Sequence, residues 1–174
     1  FLDSLDHCPE GDAELFLVEG ESAGQAIAAI RDPRHQAVMA LQGKPLNALK
    51  ANPRRLSHSP AFAALTSVLG EAPGTALPLG DLRYRRLMLL MDPDADGIHC
   101  SALLQIFFHH CMRPLLESGH IEIVHAPWGE LRRPGAPPLL SFSAAEFQQH
   151  CRIIDPPRAV TISRTRSFMT RGQM

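Results

Sequence analysis

Four carboxylates follow two apolar runs in this sequence. Glu19 comes directly after Leu15-Phe16-Leu17-Val18. Asp92, Asp94 and Asp96 come directly after Leu87-Met88-Leu89-Leu90-Met91. Carboxylates brought together repel unless a cation neutralises them. Hard oxygen donors with no Cys or His cluster beside them suit Mg²⁺ rather than zinc. Magnesium keeps several waters and completes its shell with phosphate oxygens, so the chemistry that fits is the handling of a phosphodiester. Two plainer readings stand beside this one. DxDxDG resembles the opening of an EF-hand calcium loop, but the twelfth position counted from Asp92 is Leu103, not the required Glu, and an apolar strand precedes the motif instead of a helix. An acidic turn that merely caps the following helix is the other. Glu19 alone is an ordinary strand-end acid, and only its pairing with the aspartates makes it informative.

These acids need a frame. Glu14 to Val18 and Arg86 to Met91 are short, nearly unbroken apolar runs, the pattern of buried strands, and His35 to Leu41, with its apolar run from Ala37, is a further strand candidate. His120 to Ala126 alternates and predicts a half-buried strand. Helices are expected over 22–30, over 59–70 with Ser59 as N-cap and Pro60 at the first position, and as one long helix over 98–118 closed by Gly119. Strands alternating with helices predict an α/β domain with a mostly parallel four-stranded sheet. In such sheets ligands gather at the carboxyl ends of strands, which puts Glu19 and the aspartates on one edge. After Pro127 the character changes. Residues 129–138 read as a Pro/Gly-rich connector, 143–150 as a short helix with a Ser143/Glu146 capping box, and 158–164 as one more strand. The expected division is a domain over 1–128 and a connector with a tail over 129–174.

Composition sets the outer limits. The chain has 174 residues, 45% hydrophobic and 20% charged, enough for one domain with a sizeable core. Its formal net charge of -1 gives no global basic field, so nucleic acid would have to bind through a local patch, metal ions or a partner. Cys8, Cys100, Cys111 and Cys151 are far apart and read as reduced thiols packed as small hydrophobes. No apolar run reaches the ~18 residues of a membrane span. The N-terminus lacks the basic and apolar regions of a signal peptide, and a chain beginning with Phe1 fits a piece of something longer.

Several motifs resemble those of one family. Glu19-Gly20-Glu21-Ser22-Ala23-Gly24 resembles EGDSAG of the type IIA DNA topoisomerases. Gln42-Gly43-Lys44-Pro45-Leu46-Asn47 resembles their RGKxLN loop, Leu82-Arg83-Tyr84 their LRY, and Asp92 to His99 their DADVDGxH. Ala126-Pro127 falls at their Pro-Pro pair, and Phe168 to Met174 loosely echoes YKGLGEM. The order is the family's, over roughly residues 8–128. The chain thus resembles the TOPRIM domain of the gyrase B and topoisomerase IV type, a Rossmann-like fold with a short C-terminal extension.

The resemblance implies roles. Glu19 would be the general acid/base that also touches metal. Asp92 and Asp94 would hold Mg²⁺, with Mn²⁺ as a substitute, and Asp96 would help at a second position. Lys44, Arg83, His99 and Ser22 would face DNA; a solvated loop lysine, a structural arginine and a capping histidine are the plain alternatives. The attacking tyrosine would come from a gyrase A-type partner, because Tyr84 is expected to be packed. An ATPase domain would lie elsewhere in the parent chain or on a separate one, and the setting would be the bacterial nucleoid in the cytoplasm. Departures are visible too: Glu21 and Gln25 replace Asp and Gly, Gln42 replaces a basic residue, and Pro45 stiffens its loop. They leave the ligands intact and thin the basic surround, which keeps a diverged, non-catalytic interaction module open as an alternative; a TOPRIM nuclease, which shares the acidic pair, is the other.

Overall fold

The computed structural model describes residues 13–69, 82–92, 94–125, 127–133, 135–153 and the backbone of 161–163. The elements run β1 (Glu14–Glu19), α1 (Gly20–Ile30), β2 (Gln36–Leu41), α2 (Pro53–Ser57), α3 (Pro60–Leu69), β3 (Arg86–Leu90), α4 (Ala95–Cys111), α5 (Arg113–Glu117) and β4 (Ile121–Ile123). Then come β5 (Gly129–Arg132), β6 (Leu139–Ser141), α6 (Ala144–Ile153) and β7 (Thr161–Ser163).

The first four strands form one all-parallel sheet in the order β2-β1-β3-β4. Its two central strands are the two apolar runs that precede the acids. Leu15 and Leu17 on β1, with Leu87 and Leu89 on β3, face a core completed by Phe62, Leu65, Leu104, Phe107 and Phe108 from α3 and α4. Phe62 and Phe107 stack there at 4.1 Å. Val18 faces the other way, into a smaller cluster with Val38 and with Ala23 and Ile27 of α1. Burial on both faces is why these strands read as continuous apolar runs. Tyr84 is fully buried in the larger core, as expected of a packed residue.

The long helix expected over 98–118 is two helices. The chain breaks at Met112 (φ -139°, ψ 45°), and α5 carries Pro114 in its first turn. Proline has no N–H to give and its ring collides with the preceding turn, so α4 stops before it. At the other end α4 starts at Ala95, earlier than expected, because Asp94 caps it. Helix α2 was not expected. Its signal was present as Asn52-Pro53: the Asn52 side chain accepts a hydrogen bond from the Arg55 amide at 2.8 Å, and proline occupies the first turn.

Residues 129–138, read as a connector, contain β5, the central strand of an antiparallel sheet β6-β5-β7. Leu131 is fully buried, and Gly129 passes so close to Phe147 of α6 that an added Cβ would lie 2.6 Å from its ring. The Ser143 cap of α6 is present, with the Glu146 amide donating to the Ser143 hydroxyl at 3.1 Å. The Glu146 carboxylate takes a hydrogen bond from the Phe142 amide, one residue earlier than the usual capping box. Cys8, Ala126, residues 71–81, whose Gly and Pro read as a loop, and the 168–174 motif lie outside the described residues.

Candidate metal centre

The chain steps from β1 outward to β2 and then crosses back to β3 on the other side of β1, so the strand order reverses between β1 and β3. A crevice opens where neighbouring crossovers diverge, at the carboxyl edge. Parallel register sets Val18 beside Leu90. Glu19 is one residue beyond the first and Asp92 two beyond the second, so both acids reach the crevice.

Glycines allow the close approach. Gly20 adopts φ +78° as β1 turns straight into α1, a conformation that strains any residue with a Cβ. Gly97 packs the first turn of α4 onto the backbone of Asp92: a Cβ there would lie 2.1 Å from the Asp92 carbonyl oxygen and 2.7 Å from its amide nitrogen. Only glycine fits. Asp94 spends one carboxylate oxygen on the Gly97 amide at 2.8 Å. Asp96 is exposed and pairs with Lys44, which reaches it from the loop after β2 at 2.6 Å.

The charges converge on Glu19. Partial burial raises its carboxyl pKa, and the fields of Asp94, Asp92 and Asp96 raise it further. Cys100 opposes the shift by hydrogen bonding. Burial, and then the Glu19 charge, push the Cys100 thiol up to about 11. Lys44 is raised and Asp96 lowered, each chiefly by their mutual hydrogen bond. The pull of His99 on Asp96 also marks that histidine as a near neighbour.

Sequence reasoning placed Glu19, Asp92, Asp94 and Asp96 on one edge, and the structure brings them there, with Lys44 and His99, which the resemblance turns toward DNA, beside Asp96. Ser22 joins them in the exposed first turn of α1. Arg83 does not. It precedes β3, at the opposite end of a strand roughly 16 Å long, with its guanidinium 5.4 Å from the Tyr84 ring centroid. Cys100 is packed in the core as expected, but its hydrogen bond to Glu19 was not foreseen. It lies four residues after Asp96 on α4, the spacing that sets two side chains on one helix face. Beside Lys44 a cleft of about 340 Å³ continues along α2, lined also by Gln42, Arg55 and His58.

Among the described residues no three His, Cys, Asp or Glu side chains form a ready-made metal cage. The donors nonetheless fit magnesium. They are all carboxylates, and the repulsion that raises the proton affinity of Glu19 equally favours a cation. Their partial engagement suits an ion that needs only one or two carboxylates, with waters and phosphate for the rest. No helix among the described residues is long and apolar enough to cross a membrane.

Known proteins bear on this edge. The Toprim domain family profile matches residues 14–126. The DNA gyrase B protein of Archaeoglobus fulgidus is 36% identical over 138 residues, which is 79% of this chain and 22% of that one. The B component of the type 2 topoisomerase of Aquifex aeolicus is 40% identical over 126 residues, 71% of this chain and 16% of that one. The chain therefore spans about a fifth of the length of these curated relatives. The crystal structure of the Plasmodium falciparum topoisomerase II DNA-binding, cleavage and re-ligation domain superposes with a TM-score of 0.76. That match covers 93% of this chain and 23% of the other at 24% identity, a likeness of fold.

Proposed function

The chain belongs to the Toprim domain family, and we propose that it is the metal-binding part of an ATP-dependent type II DNA topoisomerase. Its partners would be DNA, an ATPase domain, and a gyrase A-type protein whose tyrosine attacks the DNA. The observation that carries this reading is the single acidic edge, where partial burial and then the fields of Asp94, Asp92 and Asp96 raise the pKa of Glu19. The matches to gyrase B and to its type 2 topoisomerase counterpart support the same reading.

Asp92 and Asp94 would hold Mg²⁺, and Asp96 would serve a second position. The ion would supply charge stabilisation on the scissile phosphate and its leaving oxygen. The chain's own contribution is proton transfer. A carboxyl with a raised pKa holds a proton closer to neutral pH than an ordinary glutamate does. Glu19 would give that proton to the 3′ oxygen as the strand is cut and take it back when the hydroxyl attacks to rejoin it. Lys44 and the Arg55-lined cleft would neutralise backbone phosphates, with Ser22 and His99 beside them. Arg83, at the other end of β3, is left out of this set. The boundary of the Toprim domain would fall near residue 128, where the parallel sheet has ended and β5 starts a second sheet.

The test is calorimetric titration of Mg²⁺ and Mn²⁺ into this chain and into Asp94→Asn. Asparagine keeps the helix cap and removes the charge, so the fold survives and saturable binding should be lost. If neither metal bound and the variant behaved as the parent does, a non-catalytic interaction module would replace this reading.

A further inference from the structure

The Lys44–Asp96 pair has no place in the scheme above. A lysine assigned to phosphate sits instead on a carboxylate assigned to metal, 2.6 Å away. We propose that Lys44 is a built-in counter-cation that competes with metal for Asp96 until DNA phosphate draws it away, so that the second cation position fills more readily once DNA has arrived. This rests on the metal-binding reading given above.

Three observations carry the proposal. First, the pair is built to let go. The two side chains are 41% and 74% exposed, and an ion pair in such water contact holds weakly and yields to a competing charge. Second, the loop that carries Lys44 is anchored just beyond it, so a side-chain movement is enough to release the pair. Pro45 is buried, and Asn47 ties the following turn by accepting the Lys50 and Ala51 amides on its carbonyl and the Leu49 amide on its side chain. Third, an alternative seat is adjacent. Lys44 also lines the cleft that holds Gln42, Arg55 and Ser59, where a second cation and neutral polar groups, with no carboxylate, suit a backbone phosphate and not a metal ion. One ammonium thus stands between two anions, one resident and one incoming. Because Lys44 and a cation compete for Asp96, whatever draws Lys44 away tightens metal binding. By reciprocity, metal at Asp96 tightens phosphate binding through the released lysine.

The test is Mn²⁺ titration calorimetry on the whole chain, with thermal melts to confirm folding. Lys44→Gln should bind Mn²⁺ about two- to fivefold more tightly than the parent chain, the range set by an exposed ion pair. The gain should vanish in an Asp96→Asn background, where there is nothing left to compete for. Lys50→Gln makes the same charge change on an exposed neighbour and should leave affinity unchanged. Adding a short DNA duplex should tighten Mn²⁺ binding to the parent chain more than to Lys44→Gln. Equal or weaker binding by Lys44→Gln, or an equal gain in Lys50→Gln, would overturn the proposal while leaving Asp94-dependent binding, and the metal-binding reading, in place. Binding by Lys44→Gln alone would support it strongly. Binding by neither chain would sink both.

Discussion

Strand β1 begins and ends with a glutamate, and the two ends are treated oppositely. Glu14, buried at the amino edge, accepts hydrogen bonds from Gln36 Nε2 at 2.8 Å and from the Arg86 guanidinium. Arg86 in turn lies 3.8 Å from Glu122. That edge is neutralised from within. At the carboxyl edge the side chains gathered around Glu19 are three more acids and a thiol. Lys44, a cation at that edge, is bonded to Asp96. Folding alone would favour giving Glu19 an arginine too. A carboxylate left in the field of other carboxylates is a cost that folding does not need, and such sites are where function resides.

The largest effect that would break this contrast is steric. Gly97→Ala would drive a methyl group into the Asp92 backbone, which is not the movable end of a side chain. We expect a loss of about 3 kcal/mol in urea unfolding, together with loss of Mn²⁺ binding. Stability within a few tenths of the parent value would mean that the first turn of α4 is not pinned to Asp92, and the acidic edge would be less organised than described.

A pair of substitutions tests the contrast directly. Glu14→Ala removes a buried acceptor from two donors and should cost about 1–3 kcal/mol. Glu19→Gln should do the reverse in metal-free buffer. Its folded pKa is raised above the ordinary value of 4.5, so the native state holds the proton more tightly than the unfolded chain does. As pH rises past that value the unfolded chain ionises first, and stability falls until the folded group ionises too. Glutamine removes this deficit. The variant should melt roughly 1–3 °C higher at neutral pH, and the gain should fade as pH falls through 4.5 and be gone well below it, where both states are protonated. A lower melting temperature at neutral pH would show that the acidic edge is not under charge strain.

How much of this was legible beforehand follows from range. The sheet was readable because β1 and β3 are buried on both faces and their apolar runs are local signals. The edge was readable because parallel strands point their carboxyl ends the same way. The break at Met112 was missed because the apolar spacing of Leu115 and Leu116 continues through Pro114, and periodicity outvoted the one residue that forbids a helix. Strand β5 was missed because Pro134 and Gly135 flank it and lent their character to the whole segment, although its buried Leu131 and the close approach of Gly129 to Phe147 need the tertiary fold to be seen. The Lys44–Asp96 bond spans 52 residues of sequence, and no local pattern announces such a pairing.

Cys100 shows the same limit and supplies the finest probe. Its thiol is pushed up to about 11, first by burial and then by the Glu19 charge. Because the thiolate is the species that reacts, Cys100 should be the slowest of the three described cysteines to alkylate with iodoacetamide at neutral pH, behind half-buried Cys111 and Cys151. Peptide mass spectrometry would read each site separately. Glu19→Gln removes the second cause and leaves the first, so Cys100 alone should speed up several-fold without reaching the rate of an open thiol. An unchanged rate would mean that burial by itself governs Cys100 and that the Glu19 charge is already compensated, which would make the two ends of β1 alike. Selective acceleration would show that the charge at the carboxyl edge is uncompensated in the metal-free fold. A thiol on α4 would then report on the state of Glu19 without any DNA being cut.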